Sequence, residues 1–351
     1  MSASTRRQFL KHVTTAGIAG LGVSRLQALA ARQLAAASPW RSRIGLELYT
    51  VRDLLMQDFE GTLAKVAEIG YTEIEPTSYN NMSPKDCRAL LDRYRLTMPS
   101  THSPARGEGA DLEKMLEGFQ IMGIKYTEIQ AGGGRGGGAA APVSGRPANL
   151  PPGAYYDAGT GIVHNAFKET GAFGPYQPPV SLDSVKRRAE QLNAHGKLVQ
   201  KFGMKMLVHN HTGEFERMTD SPRTSYDVLI EESDPSLVTM QLDLGWTYIA
   251  GIDPLALFKA HPGRFELWHV KDVFGLKKVN PALGPNARVS SMALVPVGSG
   301  EIDWKPVFAQ ARVAGLKHFC IEQDNAAAWG DSLAAARVSY QNLAAMLDEM
   351  K

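Results

Sequence analysis

Histidine and carboxylate side chains end several apolar, strand-like runs in the second half of the chain. The residues at these ends are His209, His211, Asp243, His269 and Glu322. A parallel barrel carries its active site at the carboxyl ends of its strands. A divalent metal there needs three or four nitrogen and oxygen donors from different strands. The pattern therefore predicts a site for a divalent ion such as Mn²⁺, Mg²⁺, Zn²⁺ or Co²⁺.

Asp243, His269 and Glu322 occupy equivalent strand-end positions, and either His209 or His211 supplies a fourth ligand. The two histidines are separated by one residue, so both imidazoles face the same side of an extended strand. One of them then binds the metal, while the other contacts substrate or carries a proton. We favour His209 as the ligand.

Strand-like and helix-like segments alternate from position 43 to the end of the chain, and eight such units can be counted. Repetition of a βα unit favours a parallel sheet, and eight units favour closure into a (β/α)8 TIM barrel. We predict one barrel domain over 43–351, with a Gly/Pro-rich insertion at 131–180 after strand 4 and a second insertion after strand 7. No G-x-G-x-x-G motif follows the first strand, which argues against a dinucleotide-binding domain.

The amino terminus resembles an export signal. Arg6 and Arg7 are followed by an apolar, Gly/Ala-rich stretch and by small residues that suit cleavage. This order is typical of the twin-arginine address. The apolar stretch is too short and too interrupted by glycine to span a membrane. The sequence thus predicts a signal peptide and linker over 1–37, contact with the twin-arginine export machinery, and a periplasmic protein.

The composition and net charge of the chain limit the classes of partner that it is expected to bind. Hydrophobic residues make up 44% of the 351 residues and charged residues 21%, as in ordinary globular proteins. The net charge is +2, with acidic and basic residues interspersed. A nucleic-acid-binding protein would carry a basic stripe, so we expect no nucleic-acid partner. The oligomeric state stays open.

Several segments resemble the sugar phosphate isomerase/epimerase group of the xylose isomerase-like TIM barrels over nearly all of the chain beyond the signal. They are IGLELYTVRD, GYTEIEP, LVHNHTGEFE, MQLDLGW, HPGRFELWHVKD, VPVGSGEIDW and CIEQDN. The resemblance implies a divalent ion bound by Asp243, His269 and Glu322. It also shows two departures: His209 stands where many relatives have a glutamate that is both ligand and base, and Trp246 stands where several have a histidine.

These departures bear on mechanism. Epimerisation by two opposed glutamates requires both carboxylates, and only Glu322 is in place. A metal-polarised carbonyl with one base serves isomerisation, and it also serves elimination or hydration of a 3-keto-sugar or 3-keto-glycoside. In this interpretation Glu322 is ligand and base, Lys271 stabilises enolate charge, and Glu128 and His211 carry protons.

Four more residues are predicted to bind the carbohydrate substrate. Glu47, Glu75 and His102 end the first three strands, where they would bond sugar hydroxyls or simply pair with arginines of the barrel wall. Trp246 would stack on a sugar ring or serve only as packing. Lys271 and the aspartate after it also have a plain interpretation as an exposed ion pair.

Two other classes of function compete with a metal-dependent sugar isomerase, epimerase or lyase. A catalytically silent periplasmic sugar-binding protein would retain the barrel and the ion without a base. An endonuclease IV-like phosphodiesterase would need more histidine and aspartate ligands and basic loops, neither of which the sequence shows.

Overall fold

The computed structural model describes residues 38–130, 154–157, 162–167, 172–175 and 180–350. The segment predicted as an export signal and the Gly-rich run at 132–138 lie outside them. A seven-stranded parallel sheet forms the centre, in the order β2-β1-β14-β11-β10-β9-β4. Its strands are β1 (Ile44–Glu47), β2 (Glu73–Glu75), β4 (Tyr126–Thr127), β9 (Lys205–His209), β10 (Val238–Asp243), β11 (Leu267–Val270) and β14 (His318–Ile321).

Residues 97–100 bridge the two edges of this sheet and close it. Glu73 pairs with Thr97 and Ser100 pairs with Tyr126, both in parallel. The carbonyl of Pro99 accepts hydrogen bonds from the backbone N–H groups of 125 and 126. Proline has no N–H to donate in return, which explains why this segment forms isolated bridges instead of a regular strand. The predicted eight-stranded barrel is confirmed, with its third strand reduced to these bridges.

Helices cover the outside of the sheet. Their bounds are α1 (Arg52–Leu55), α2 (Phe59–Ile69), α3 (Pro84–Tyr94), α4 (Gly109–Met122), α5 (Leu182–Gln200), α6 (Ser225–Glu232), α7 (Leu244–Ala250), α8 (Pro254–Ala260), α9 (Pro285–Arg288), α10 (Trp304–Ala309), α11 (Ala311–Ala314) and α12 (Ser332–Glu349). Ser83 caps α3 by accepting a hydrogen bond from Asp86 N, and Pro84 is the first helical residue, where its missing N–H is no loss.

The central strands are covered on both faces. Every residue of β1, β10 and β11 is buried, as expected for parallel strands sandwiched between a barrel interior and a helix layer. Between strands and helices, the rings of Phe258 and Trp268 stack with centroids 5.0 Å apart, and Phe308 packs edge-on against both Trp268 and Phe319. This packing holds β11 and β14 in place, and both strands carry predicted site residues.

The chain after β11 forms an antiparallel hairpin of β12 (Asp272–Phe274) and β13 (Ala293–Val295). Asp272 is fully buried. Its carboxylate accepts hydrogen bonds from Val273 N and Gly298 N at 2.8 Å, and from Gly300 N and Trp304 Nε1 at 3.2 Å. The interpretation of Lys271 and Asp272 as an exposed ion pair is wrong, because Asp272 instead fastens the second insertion to the barrel.

Short strands also occur near and within the first insertion. They are β3 (Ala105–Arg106), β5 (Ile129–Gln130), β6 (Ala154–Asp157), β7 (Ile162–Phe167) and β8 (Ala172–Pro175). β3 pairs with β5 in parallel, and β6, β7 and β8 form an antiparallel sheet. Among the described residues, none of the helices is both long enough and apolar enough to cross a bilayer.

Polar side chains also meet at the opposite end of the barrel. His318 Nδ1 lies 2.9 Å from Glu73 Oε2, and Tyr126 donates a hydrogen bond of 2.8 Å to Glu266. Glu266 also pairs with Lys205. The amino-terminal end of a barrel generally serves stability and not catalysis. We therefore assign this cluster a structural role.

Candidate metal centre and active site

The carboxyl ends of the central strands bring predicted ligands together at one end of the barrel. Asp243 and His269 are register partners on β10 and β11, and Glu322 follows directly after β14. His269 Nδ1 lies 2.6 Å from Glu322 Oε2 and 3.8 Å from Asp243 Oδ2. One donor atom from each residue lies within 4.8 Å of the other two, so the three can share a single ion.

These atoms suit a metal because they converge in a buried site where their mutual contacts are poorly aligned. Asp243 Oδ2, His269 Nδ1 and Glu322 Oε2 contact one another or Lys271 Nζ, but none of these contacts has hydrogen-bond geometry. Buried polar atoms are rarely left unpaired, and an ion is one of the explanations that such atoms call for. Two carboxylate oxygens and one imidazole nitrogen form a donor set that suits Mn²⁺, Co²⁺ or Zn²⁺.

Lys271, which directly follows β11, reaches into the same cluster. Its Nζ lies 2.9 Å from Asp243 Oδ2, 3.1 Å from Glu322 Oε2 and 2.7 Å from Asp324 Oδ2. None of these contacts has hydrogen-bond geometry. The ammonium is only 1% exposed, so it provides buried positive charge for three carboxylates. Asp324 was not predicted, although it stands two residues after Glu322.

The charges in the cluster are strongly coupled. Burial would lower the pKa of Lys271, but the carboxylates of Asp243, Asp324 and Glu322 outweigh it and raise that pKa well above its usual range. Burial would raise the pKa of Glu322, but Lys271 and His269 lower it well below the ordinary value. Burial raises the pKa of Asp324 to about 6 despite the opposing effect of Lys271.

Three further histidines stand beside the cluster. The ring of His209 lies 4.8 Å from those of His102 and His269 and 4.9 Å from that of His211. His209 Nδ1 is buried without a hydrogen-bond partner. Burial, followed by the positive charge of His269, lowers the pKa of His209 well below its usual range. A neutral imidazole with an unpaired nitrogen is the form that binds metals.

Histidines 102, 209 and 269 form a second group whose donor atoms lie within 4.8 Å of one another. His269 belongs to both groups, so His209 is adjacent to the predicted ligand set. His211 packs 5.8 Å from the ring of Trp246, and its backbone N–H donates to Glu214. Burial and the nearby Lys271 lower the pKa of His211 to about 3. Of the two histidines, His209 therefore lies closer to the ligands.

Asp243 is held by its own chain and by β9. It caps α7, with Oδ1 accepting a 2.8 Å hydrogen bond from Trp246 N. The fully buried Asn210 accepts a 3.0 Å hydrogen bond from Asp243 N. The cap uses one carboxylate oxygen and leaves Oδ2 directed at Lys271 and His269. Asn210 lies between two predicted histidines, but its type alone did not indicate this role.

The prediction that Trp246 stacks on a sugar is wrong. Helix α7 begins directly after β10 and turns the tryptophan into the core, where it is fully buried. The Lys271 ammonium lies 4.7 Å from the centre of its ring. Trp246 therefore supports Lys271 through a cation–π contact and offers no free face to a ligand.

The other predicted substrate and proton-transfer residues lie around the same rim. Glu47 and Glu75 are register partners and both are fully buried. Glu47 Oε2 accepts a hydrogen bond from Tyr49 N, and burial raises the pKa of Glu47 well above its usual range. Glu128 and His102 are half-buried. Burial raises the pKa of Glu128 as well, which favours its protonated form.

Comparison with known proteins identifies the family. The family model described as a xylose isomerase-like TIM barrel matches residues 154–339. The chain belongs to this family. The inosose dehydratase of Geobacillus kaustophilus is 25% identical over 260 residues, which cover 71% of this chain and 74% of that protein. Against three inosose dehydratases of Clostridium species, the match spans only 41–44% of the relatives' length.

Solved structures of low sequence identity share the fold of this family member. A sugar phosphate isomerase/epimerase from Parabacteroides distasonis superposes with a TM-score of 0.58 at 18% identity, covering 88% of this chain and 95% of that one. The IOLI protein, solved with a bound zinc atom, superposes with a TM-score of 0.54 at 11% identity, covering 88% and 99%. At such identities the likeness establishes the barrel architecture.

Proposed function

We propose that this protein is a divalent-metal-dependent lyase that removes water from a cyclic keto-sugar of the inosose type. The observation that carries the proposal is the convergence of Asp243, His269 and Glu322 at the carboxyl end of the barrel, where one buried ligand atom from each lies within 4.8 Å of the other two. The relatives named inosose dehydratase support this substrate class.

Asp243, His269 and Glu322 would hold the ion, with His209 as the adjacent fourth donor. A divalent ion in this position supplies Lewis-acid polarisation of the substrate carbonyl. The zinc in the IOLI structure supports a metal in this proposal. The remaining chemistry belongs to side chains of the chain itself.

Elimination of water requires a base, an acid and positive charge near the ketone. The C–H bond next to the ketone breaks, its electron pair forms a carbon–carbon double bond, and the C–O bond of the neighbouring hydroxyl breaks. We assign proton removal to Glu322, the least buried carboxylate of the ligand set. Lys271 supplies fixed positive charge that favours the enolate, and Glu128, whose raised pKa favours its protonated form, gives the departing hydroxide a proton.

Elimination suits this site better than two-base epimerisation. Epimerisation needs carboxylates on opposite faces of the substrate, and β9 ends in His209 instead of a second carboxylate. Elimination needs only one positioned base together with an acid that protonates the leaving group. Isomerisation or epimerisation remains the second outcome to be tested, and a purely sugar-binding protein is the third.

The proposal predicts metal-dependent turnover of an inosose. The purified protein should convert 2-keto-myo-inositol to a product that has lost the mass of one water and absorbs in the ultraviolet. Treatment with EDTA should reduce the rate by about 10²-fold or more, because metal polarisation is worth several kcal/mol, and Mn²⁺ or Co²⁺ should restore it. A product of unchanged mass would favour isomerisation. Binding without turnover would favour the sugar-binding alternative.

We also propose that the protein is exported by the twin-arginine route to the periplasm. Arg6, Arg7 and the small residues that follow support this proposal. The full chain expressed in a bacterium should be found in the periplasmic fraction, shortened by about the length of segment 1–37. Replacing both arginines by lysine should leave it in the cytoplasm at full length. If the wild type and the double-lysine variant were divided between periplasm and cytoplasm in the same proportion, export by this route would be contradicted.

A further inference from the structure

His269 is contacted at both ring nitrogens. Its Nδ1 faces the ligand set, 2.6 Å from Glu322 Oε2. Its Nε2 lies 3.1 Å from Glu75 Oε2, across the barrel interior. Both side chains of this second contact are 1% exposed or less, so water does not compete for it. The orientation of the His269 ring therefore depends on Glu75 as well as on the ligand set.

Glu75 is held in place by two more side chains. Gln241 Nε2 donates to both carboxylate oxygens, at 2.9 and 2.7 Å. Gln241 Oε1 is 2.6 Å from His102 Nε2, which lies 3.1 Å from Glu75 Oε1. The amide that donates to Glu75 thus directs its oxygen at His102, and every contact in this network presents a donor to the Glu75 carboxylate.

A carboxylate can only accept hydrogen bonds, so the contact with Glu75 requires a proton on His269 Nε2. A neutral imidazole with its proton on Nε2 has its lone pair on Nδ1. That lone pair then faces Asp243 and Glu322. The same contact prevents the ring from rotating, because the reversed ring would turn a C–H group toward the carboxylate.

We propose that Glu75 is a positioning residue for the metal centre, which selects the Nε2–H tautomer of His269 and presents Nδ1 to the ion. This inference rests on the proposed metal-dependent function. It also replaces the predicted sugar contact of Glu75, because the carboxylate is fully buried and already surrounded by three donors. Carboxylates that bond the far nitrogen of a ligating histidine generally increase metal affinity about 10- to 100-fold.

The barrel contains a matched control on the same strand. Glu73 lies two residues before Glu75, and its carboxylate bonds His318 Nδ1 at 2.9 and 3.0 Å. It is 6% exposed. Glu73→Gln therefore removes a buried carboxylate from a contact with a histidine, here the partly exposed His318, at the end of the barrel away from the ligand set. A general effect of losing such a contact should appear in both variants.

The test measures Zn²⁺ affinity of the full chain by competition with a chromophoric chelator. Glu75→Gln should weaken Zn²⁺ binding about 10- to 100-fold, while Glu73→Gln should leave it essentially unchanged. Thermal unfolding of both variants separates lost stability from lost affinity. Equal Zn²⁺ affinity of Glu75→Gln and the wild type would overturn the inference. A wild type that binds no Zn²⁺ would instead refute the proposed function and the inference with it.

A second measurement needs no variant at Glu75. In ¹⁵N-histidine-labelled wild type loaded with Zn²⁺, the His269 signals can be assigned by their loss in His269→Gln. The inference expects a proton on Nε2 and metal on Nδ1. Metal on Nε2, or a proton on Nδ1, would overturn it even if Glu75→Gln fails to fold.

Discussion

Glu322→Gln is expected to lower kcat/KM for the keto-sugar about 10²- to 10⁴-fold, the range for loss of a positioned general base. Glu322 Oε2 lies 2.6 Å from His269 Nδ1 and 3.1 Å from Lys271 Nζ. The amide keeps the size of the side chain but removes both the negative charge and the proton acceptor. The same variant should lose the increase in thermal stability that Mn²⁺ gives the wild type, because one ligand is missing.

Glu73→Gln serves as the control for this variant too, since it removes a buried carboxylate at the other end of the barrel. Its kcat/KM and its response to Mn²⁺ should match those of the wild type. If Glu322→Gln kept wild-type kcat/KM, neither the assignment of the base nor that of the ligand would stand. Loss of activity with full retention of Mn²⁺ binding would preserve the base and remove Glu322 from the ligand set.

Lys271→Met is expected to destabilise the protein by about 3–5 kcal/mol in the presence of EDTA, the cost of breaking a buried ion pair on one side. Asp243, Glu322 and Asp324 would then share a buried site without the ammonium that lies 2.7–3.1 Å from them. Methionine fits along the Trp246 ring but brings no charge. Urea unfolding followed by tryptophan fluorescence measures the change in the free energy of unfolding.

Lys305→Met provides the matched control. Lys305 also contacts a carboxylate at 2.7 Å, that of Glu349, but both side chains are more than half exposed. Exposed pairs contribute about 0.2–1 kcal/mol, so this variant should remain close to the wild type. Mn²⁺ should stabilise Lys271→Met more than it stabilises the wild type, because the ion replaces the missing charge. Similar free energies of unfolding for the two lysine variants would show that the Lys271 cluster is not held by charge.

The order of elements and the main ligands could be predicted because both follow from local sequence. Asp243, His269 and Glu322 end apolar runs, and parallel strands bring their carboxyl ends to the same side. This prediction of the ligands does not require knowing which side chains each of them contacts. Helix ends similarly depend on a few consecutive residues: Asp58 caps the start of α2, Gly70 ends it, and Ser83 caps the start of α3.

The partners of each side chain were decided only by closure of the barrel. Glu75 meets Gln241 at a sequence separation of 166 residues and His269 at 194, and no local pattern encodes such pairs. Trp246 was misassigned because α7 begins directly after Asp243 and turns the ring into the core, next to Lys271. The position of a residue along its strand indicates which end of the barrel it occupies. The distances that turn an imidazole into a ligand or a carboxylate into its support arise from packing across the barrel.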